Sequence, residues 1–280
     1  MNLLHTLAPP HPVLWPMLYS VVVYGLRYLV MAALTFSVAR PVSSGGIGRR
    51  VFAGDLGRRV FAGDLGRPHA QAPASMATGR HVRREITFSL LSLLIFGAVN
   101  GVLFGWGLMR HSQLYFQFAK FPLWWFVTSI VLALVLHDAF FYWLHRAMHT
   151  RLLFGLMHQV HHRSIHPTAF AAYSFHPTEA LAEALIVTAI LFVIPMHPLA
   201  VLIFQTISTA YNVYGHCGRE FYPLSTAGHW LGRWLNTSTL HAEHHRSGRG
   251  NYGLYLSVWD RWLGTATGAV PSKPTAPALA

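Results

Sequence analysis

The thirteen residues HDAFFYWLHRAMH, His137–His149, decide how this chain is read. Their middle is as apolar as a membrane helix, yet the stretch carries three imidazoles. On a helix His145 and His149 stand one turn apart, differ by about 40° around the axis and share a face. His137, two turns earlier, lies roughly 80° away from His145. An apolar helix that ends in paired histidines is expected to be a membrane span that runs into a polar site.

The composition agrees with a membrane protein. Charged residues make up 11% of the chain and hydrophobic residues 53%, against about 25% charged in ordinary soluble domains. Lys and Arg total 21 and Asp and Glu only 9, an excess that can serve nucleic acid, an anionic membrane face or topology-setting loops. Its location selects the last of these. Arg40, Arg49, Arg50, Arg58, Arg59, Arg67, Arg80, Arg83 and Arg84 crowd one connection, whereas residues 109–120 hold only Arg110 and Lys120. No nucleic-acid partner is needed to explain the charge.

A bilayer span takes about 20 mostly apolar residues, and three stretches supply them: Trp15 to Ala39, Ile86 to Leu108, and Phe121 to about Leu144. Arg27 interrupts the first, and at mid-bilayer it costs about 2.5–3.5 kcal/mol, so it is expected to face a helix partner or water. No Lys or Arg precedes Arg27, so the positive start of a signal peptide is missing and this helix is expected to be retained. The apolar region Ala180 to Tyr214 is broken by Pro195 and Pro198, which predicts a hairpin of two shorter helices with both ends on one side. The positive-inside rule places the arginine-rich connection in the cytoplasm. Threading onward delivers the histidines to that side.

The expected fold is therefore all-α, a multi-span helical membrane protein of about three full spans plus a Pro-broken hairpin, with a cytoplasmic helical histidine-rich cap. Its segments are 1–39, the first span; 40–85, a basic cytoplasmic linker; 86–120, the second span and a short outer loop; 121–265, the histidine-rich domain; and 266–280, a tail. Within the linker GRRVFAGDL occurs at Gly48–Leu56 and again at Gly57–Leu65. Two copies this short cannot bury a shared core, and the repeat reads as a duplication carried in an exposed loop. The Pro- and Ala-rich end, Pro271–Ala280, is expected to be disordered.

Fourteen histidines fall between His137 and His245. Three groups have helical spacing: HRAMH with His145 and His149, HQVHH with His158, His161 and His162, and HAEHH with His241, His244 and His245. At i, i+3 and i+4 each group can aim two or three rings at one point. Neutral imidazole is a good ligand for iron, zinc, copper or nickel, and eight ligands exceed the needs of one ion, so two metals are implied. Without a metal the clustered rings would each need an unrelated partner or repel one another on protonation.

Around these groups His137, His176 and His216 are candidate further ligands or supports, with Asn212 one turn before His216. Asp138, Glu179, Glu183 and Glu243 are better placed to hold a ligand ring by its second nitrogen than to bind metal. His166, His197 and His229 read as caps, turns or interface positions. Cys217 is the single cysteine, so disulfides and thiolate clusters are excluded, and it reads as a small buried residue. No H-E-x-x-H occurs, which removes a zinc-protease site. Phe140, Phe141, Tyr142 and Trp143 read as packing and interfacial anchors.

A histidine-rich metal pair where helices meet cytoplasm sees lipid on one side and water on the other. If the metals are iron, they can activate dioxygen and attack an unactivated C–H bond, which redox-silent zinc cannot do. At these residues the chain resembles the fatty acid hydroxylase and sterol desaturase superfamily of membrane di-iron oxygenases. The family pattern, H-x-x-x-H followed by two H-x-x-H-H groups, stands here as HRAMH, HQVHH and HAEHH. HDAFFYWLHR, FHPTE, NVYGH and NYGLYLSVWDRWLGT (Asn251–Thr265) agree with it, and the likeness covers about Phe121 to Thr265. The resemblance implies two iron ions on His145, His149, His158, His161, His162, His241, His244 and His245, with dioxygen as co-substrate. It implies hydroxylation or desaturation of a membrane lipid, whether sterol, fatty acyl or carotenoid. The chain has no ferredoxin-like cysteines and no dinucleotide-binding glycine fingerprint, so electrons are expected from an external reductase, ferredoxin or cytochrome. The rival reading is a non-catalytic metal-binding or transport protein. A transporter places its ligands near the bilayer midplane, whereas these lie mostly beyond the third span.

Overall fold

The computed structural model describes residues 11–39, 67–68, 79–222, 230 and 232–267. The tandem repeat, most of the basic linker, His229 and the tail beyond residue 267 lie outside the described residues. Three long helices, α1 (Leu14–Ala39), α2 (Gly79–Gly105) and α3 (Leu123–Met148), have the length and composition to cross a membrane. A hairpin of α5 (Pro177–Val193) and α6 (Pro198–His216) packs among them. Between α3 and α5 lie a π-helical turn, Phe154–His158, and the short α4, Gln159–His162; α7 (Ser238–Ser247) and α8 (Val258–Trp262) close the fold. The strands are two-residue segments, with Arg67 paired antiparallel to Glu220.

The outer surfaces of the spans are apolar. Leu18, Val22, Leu26, Val30 and Leu34 on α1, and Trp124, Val127, Val131 and Val135 on α3, are exposed. Continuous apolar surface of this extent matches lipid and not water.

The core of α1 and α2 depends on small residues. Gly97, Gly101 and Gly105 recur every fourth position and form a glycine stripe. A Cβ at Gly101 would lie 2.7 Å from the Val13 carbonyl oxygen, and one at Gly105 2.5 Å from Val13 Cγ2. The helices run antiparallel, because Leu93 meets Gly25 whereas Gly101 and Gly105 meet Val13. Close backbone approach is how membrane helices associate where no hydrophobic force acts between them. Gly101→Leu is therefore expected to destabilise the protein by about 1–3 kcal/mol through overpacking, seen as a lower unfolding temperature in detergent. An unchanged transition would contradict this packing.

The spans differ from the sequence expectation at their ends. The second begins at Gly79 and not at Ile86, because its first turns grip the histidine-side loop. Arg84 Nη2 donates to the Arg163 carbonyl at 2.9 Å and to Ser164 Oγ at 3.1 Å, and the buried Glu85 accepts from Thr168 Oγ1 at 2.5 Å. It stops at Gly105, and Gly107 with φ 69° turns the chain into a 3-10 helix. The third span continues past Leu144 to Met148, so His145 belongs to the spanning helix itself. Each hairpin helix starts on a His-Pro pair: His176 and His197 accept from the backbone N–H groups of Thr178 and Leu199, with Pro177 and Pro198 as first helical residues. The two helices are 17 and 19 residues long, only moderately shorter than the spans. Their turn meets the outer loop, where Gln113 N donates to the Leu191 carbonyl at 2.9 Å and Tyr115 N to that of Met196 at 3.1 Å.

At the other end gather the C-termini of α1, α3 and α6 and the N-termini of α2 and α5. The linker from α1 to α2, with its arginines, thus starts and finishes at the end of the bundle that holds the histidines.

Candidate metal centre

Nine histidines meet at that end. One group is His145, His149, His158, His162 and His244; the other is His161, His216, His241 and His245, and within each group the ligand atoms lie within 4.8 Å of one another. All eight histidines of the three motifs are present, and His216 joins as a ninth. The motifs do not each serve one point, as their spacing suggested. His158 and His162 go to the first group and His161 to the second; His241 and His245 go to the second and His244 to the first. The reason is helical: positions i and i+4 are about 40° apart, but i+3 and i+4 are separated by about 100°. Each H-x-x-H-H segment therefore divides its rings between two neighbouring centres, whose rings touch, with His162 stacked on His245 at a centroid separation of 4.8 Å.

The rings are held from behind. His145 Nδ1 lies 2.9 Å from the Tyr252 carbonyl, His244 Nδ1 2.6 Å from that of Gly250, and His216 Nδ1 2.7 Å from that of Asn212. A carbonyl only accepts, so each of these Nδ1 atoms carries the proton and each Nε2 bears a lone pair. His158 Nδ1 is held at 2.6 Å by Glu179 Oε1, both residues being buried.

The Nε2 atoms face one another: 3.0 Å for His145 and His158, 3.1 Å for His162 and His244, 3.2 Å for His161 and His216, 2.9 Å for His216 and His241. With a Glu179 carboxylate accepting from His158 Nδ1, both inward nitrogens of the pair His145 and His158 are unprotonated, and two lone pairs at this distance repel. His149 Nε2 is buried without a partner. A cation among the nitrogens removes both difficulties, and backbone or carboxylate support behind a ligand ring is the usual arrangement at metal sites. The donor set fits one metal ion in each group.

Burial holds the rings neutral. It lowers the His149 imidazole from 6.5 to about 4 and that of His162 to about 3, where the nearby His149 adds to the effect. Burial, and then the charges of neighbouring rings, lower His158, His161, His241, His244 and His245 well below 6.5. Groups whose folded pKa is depressed take up protons more readily when unfolded. Their stabilising contribution is complete above 6.5 and is lost as pH falls from there through about 4. Metal-stripped protein is thus expected to lose thermal stability across this interval, and metal-loaded protein to release metal. A melting temperature unchanged from neutral pH to about pH 4 would contradict the burial of neutral rings.

The other sequence candidates have different roles. His137 belongs to neither group: its Nδ1 lies 2.7 Å from Tyr255 Oη and its ring meets Phe204 edge-on. His176 caps α5. The Asn212 side chain donates to the Ala172 carbonyl at 2.8 Å. Asp138 accepts from the N–H groups of Tyr255 at 2.7 Å and Leu256 at 3.2 Å, and Glu243 pairs with Arg246 at 2.6 Å on the surface. Cys217 is buried, and burial pushes its thiol up to about 11. His197 caps α6, as a non-ligand.

Asp260 escaped sequence reading. It is buried and accepts from Tyr252 N at 2.9 Å, Gly253 N at 2.8 Å and Thr265 Oγ1 at 2.7 Å. That fastens the segment whose Gly250 and Tyr252 carbonyls hold His244 and His145. Gly250 has φ 68°, and a Cβ there would lie 2.2 Å from the Thr265 oxygen, so only glycine fits.

A cavity of about 850 Å³ extends from α1 and the outer loop toward this centre. Its wall is largely apolar, and the exposed Trp15, Tyr19, Phe116, Leu199 and Leu202 lie along it at the lipid-facing end. At the inner end it is lined by Phe141, Phe175, Asn212, His137 and Leu254. Asn212 and Leu254 also line a small void beside His216 and His241, so they stand between the cavity and the second histidine group.

The fold and site define a helical protein with three helices able to cross a membrane, two histidine groups that could each hold a metal ion, and an apolar cavity. Residues 130–265 match the fatty acid hydroxylase family. Human lathosterol oxidase is 32% identical over 182 residues, covering 64% of this chain and 59% of that protein. The Delta(7)-sterol 5(6)-desaturase ERG3B of Gibberella zeae is 26% identical over 190 residues, covering 68% of this chain and 57% of its own length. Through this shared segment the chain is similar to the fatty acid hydroxylase and sterol desaturase superfamily. It spans about 59% of the length of the lathosterol oxidases it matches. No solved structure matches it.

Proposed function

We propose that this chain is a membrane-bound di-iron oxygenase that hydroxylates or desaturates a C–H bond of a lipid, using dioxygen and electrons from a separate donor. The observation that carries the reading is the juxtaposition of two histidine groups, Nε2 lone pairs inward, with the inner end of an apolar cavity that a hydrocarbon chain can fill. All-histidine donor sets suit iron, and bound iron supplies the redox chemistry with dioxygen that removes hydrogen from an unactivated carbon. The nine histidines would hold the two ions. Tyr252, Gly250, Asn212 and Glu179 keep the rings oriented by accepting their Nδ1 protons. Phe141, Phe175 and Leu254 present an apolar wall that guides the chain and excludes water, and Asn212 and Leu254 gate the approach to His216 and His241.

The relatives' names concern sterols, and a sterol or fatty acyl lipid fits the size and polarity of the cavity. The arginine-rich linker joins the histidine end of the bundle, which by the positive-inside rule is the cytoplasmic end, within reach of a soluble or membrane-tethered electron carrier. The test is metal analysis of purified protein, followed by mass spectrometry of lipids from cells with and without the gene and with a competent donor. Iron with a product heavier by one oxygen, or lighter by two hydrogens, is the expected result. Zinc alone with no dioxygen consumption would instead support a metal-storage or transport protein.

A further inference from the structure

Arg27 lies midway along α1, inside a bilayer-spanning helix, and it lines the apolar cavity. Its charge is poorly used. Nη2 makes one long bond, 3.4 Å, to Gln205 Oε1, the guanidinium lies over the Tyr24 ring at 5.0 Å, and Nε and Nη1 are buried without a hydrogen-bond partner. Among the described residues no carboxylate lies within ion-pair distance of it. Glu183 is also in the cavity wall, but one turn beyond Glu179 and so close to the histidines. Around Arg27 the wall turns polar: Asn100 Nδ2 donates to Tyr24 Oη at 3.2 Å, and the Tyr173 hydroxyl stands beside the guanidinium.

An unpaired guanidinium in a membrane interior is unfavourable unless something neutralises it. We propose that this polar girdle binds the anionic head of the lipid substrate, a carboxylate in class, with Arg27 as its charge partner and the hydrocarbon chain extending toward the histidines. This rests on the oxygenase reading above and narrows its substrate. The planar fork of arginine matches a carboxylate with two parallel hydrogen bonds, and Gln205, Tyr24, Asn100 and Tyr173 complete the girdle. A neutral lipid, including one with a single hydroxyl, would leave the charge uncompensated. Gln205 precedes His216 on α6 by eleven residues, about 16 Å of helix rise, so the oxidised carbon lies far along the chain from the head.

The test is equilibrium binding of radiolabelled palmitate and hexadecanol to the full chain, purified with its metal, at a pH where the acid is ionised. Wild-type protein is expected to bind palmitate on the order of tenfold more tightly than hexadecanol. Arg27→Met should erase the preference. Arg27→Lys, which keeps the charge without the fork and guards against a folding failure of Arg27→Met, should weaken palmitate binding severalfold and leave hexadecanol unchanged. Equal binding of the two lipids by wild-type protein, tighter binding of hexadecanol, or a preference that survives in Arg27→Met would each overturn the assignment. Metal content and oxygen-dependent product from neutral lipids, measured on the same preparations, report on the oxygenase reading separately. If both are intact while the carboxylate preference is absent, the head-group assignment alone fails.

Discussion

Replacing His216 by alanine is expected to empty the second histidine group and abolish turnover. His216 lies outside the three histidine motifs, yet its Nε2 stands 2.9 Å from that of His241 and 3.2 Å from that of His161. It is the only one of the four whose Nδ1 is tied to a backbone carbonyl within its own helix, that of Asn212. Its loss leaves three rings where four converged. Disturbing even a supporting partner of a ligand lowers metal affinity by about 10- to 100-fold, and removing the ligand should exceed that. Mass-spectrometric metal analysis should give about half the wild-type metal per chain, with lipid product at background. His137→Ala supplies the contrast: metal content unchanged, because His137 lines the cavity and belongs to neither group. Full metal occupancy in the His216 variant would remove that residue from the centre.

Asp260→Ala should be nearly as damaging without touching any ligand. Asp260 is 1% exposed, and its loss orphans the N–H groups of Tyr252 and Gly253 and leaves the Thr265 hydroxyl only its bond to Tyr142 Oη. A buried polar group left unpaired costs about 1–3 kcal/mol, so the variant should lose on the order of 3 kcal/mol or more, among the larger single-site effects. The Tyr252 and Gly250 carbonyls would then drift from His145 and His244, and metal affinity should fall by about 10- to 100-fold. The checks are the unfolding temperature in detergent and a competition titration against a chelator. Thr265→Val, which removes one of the three bonds, should lie between wild type and Asp260→Ala. If Asp260→Ala keeps both stability and metal affinity, the closing segment does not hold the rings.

Much of this was legible along the chain, for reasons that can be stated residue by residue. A helix that must satisfy its backbone inside lipid needs a long apolar run, and that requirement located α1 to within one residue and α3 to within four, whereas α2 begins seven residues before its apolar run. Proline cannot donate a hydrogen bond, and Pro195 and Pro198 marked the hairpin turn. Four-residue spacing on a helix brings rings to one face, and all eight motif histidines reach the centre. What failed was finer. The glycine stripe Gly97, Gly101 and Gly105 is a repeat of four in the sequence, but its effect, how closely α1 and α2 approach, exists only once α1 is packed against it. Asp260 was invisible because its partners are backbone N–H groups, which every residue has.

The chain alone determined that a histidine pair ends a membrane helix with two further clusters beyond it, and that Arg27 had to turn away from lipid, since both follow from local spacing and from the cost of charge in hydrocarbon. Only the tertiary structure decided how the rings divide, five to one group and four to the other, and that His216 joins them while His137 turns to the cavity. Local periodicity gives the direction of a side chain about its own helix. Which directions converge depends on how α3, α4, α6 and α7 are packed, and that is settled by contacts between residues distant in sequence, from the Gly101–Val13 approach to the Asp260 lock.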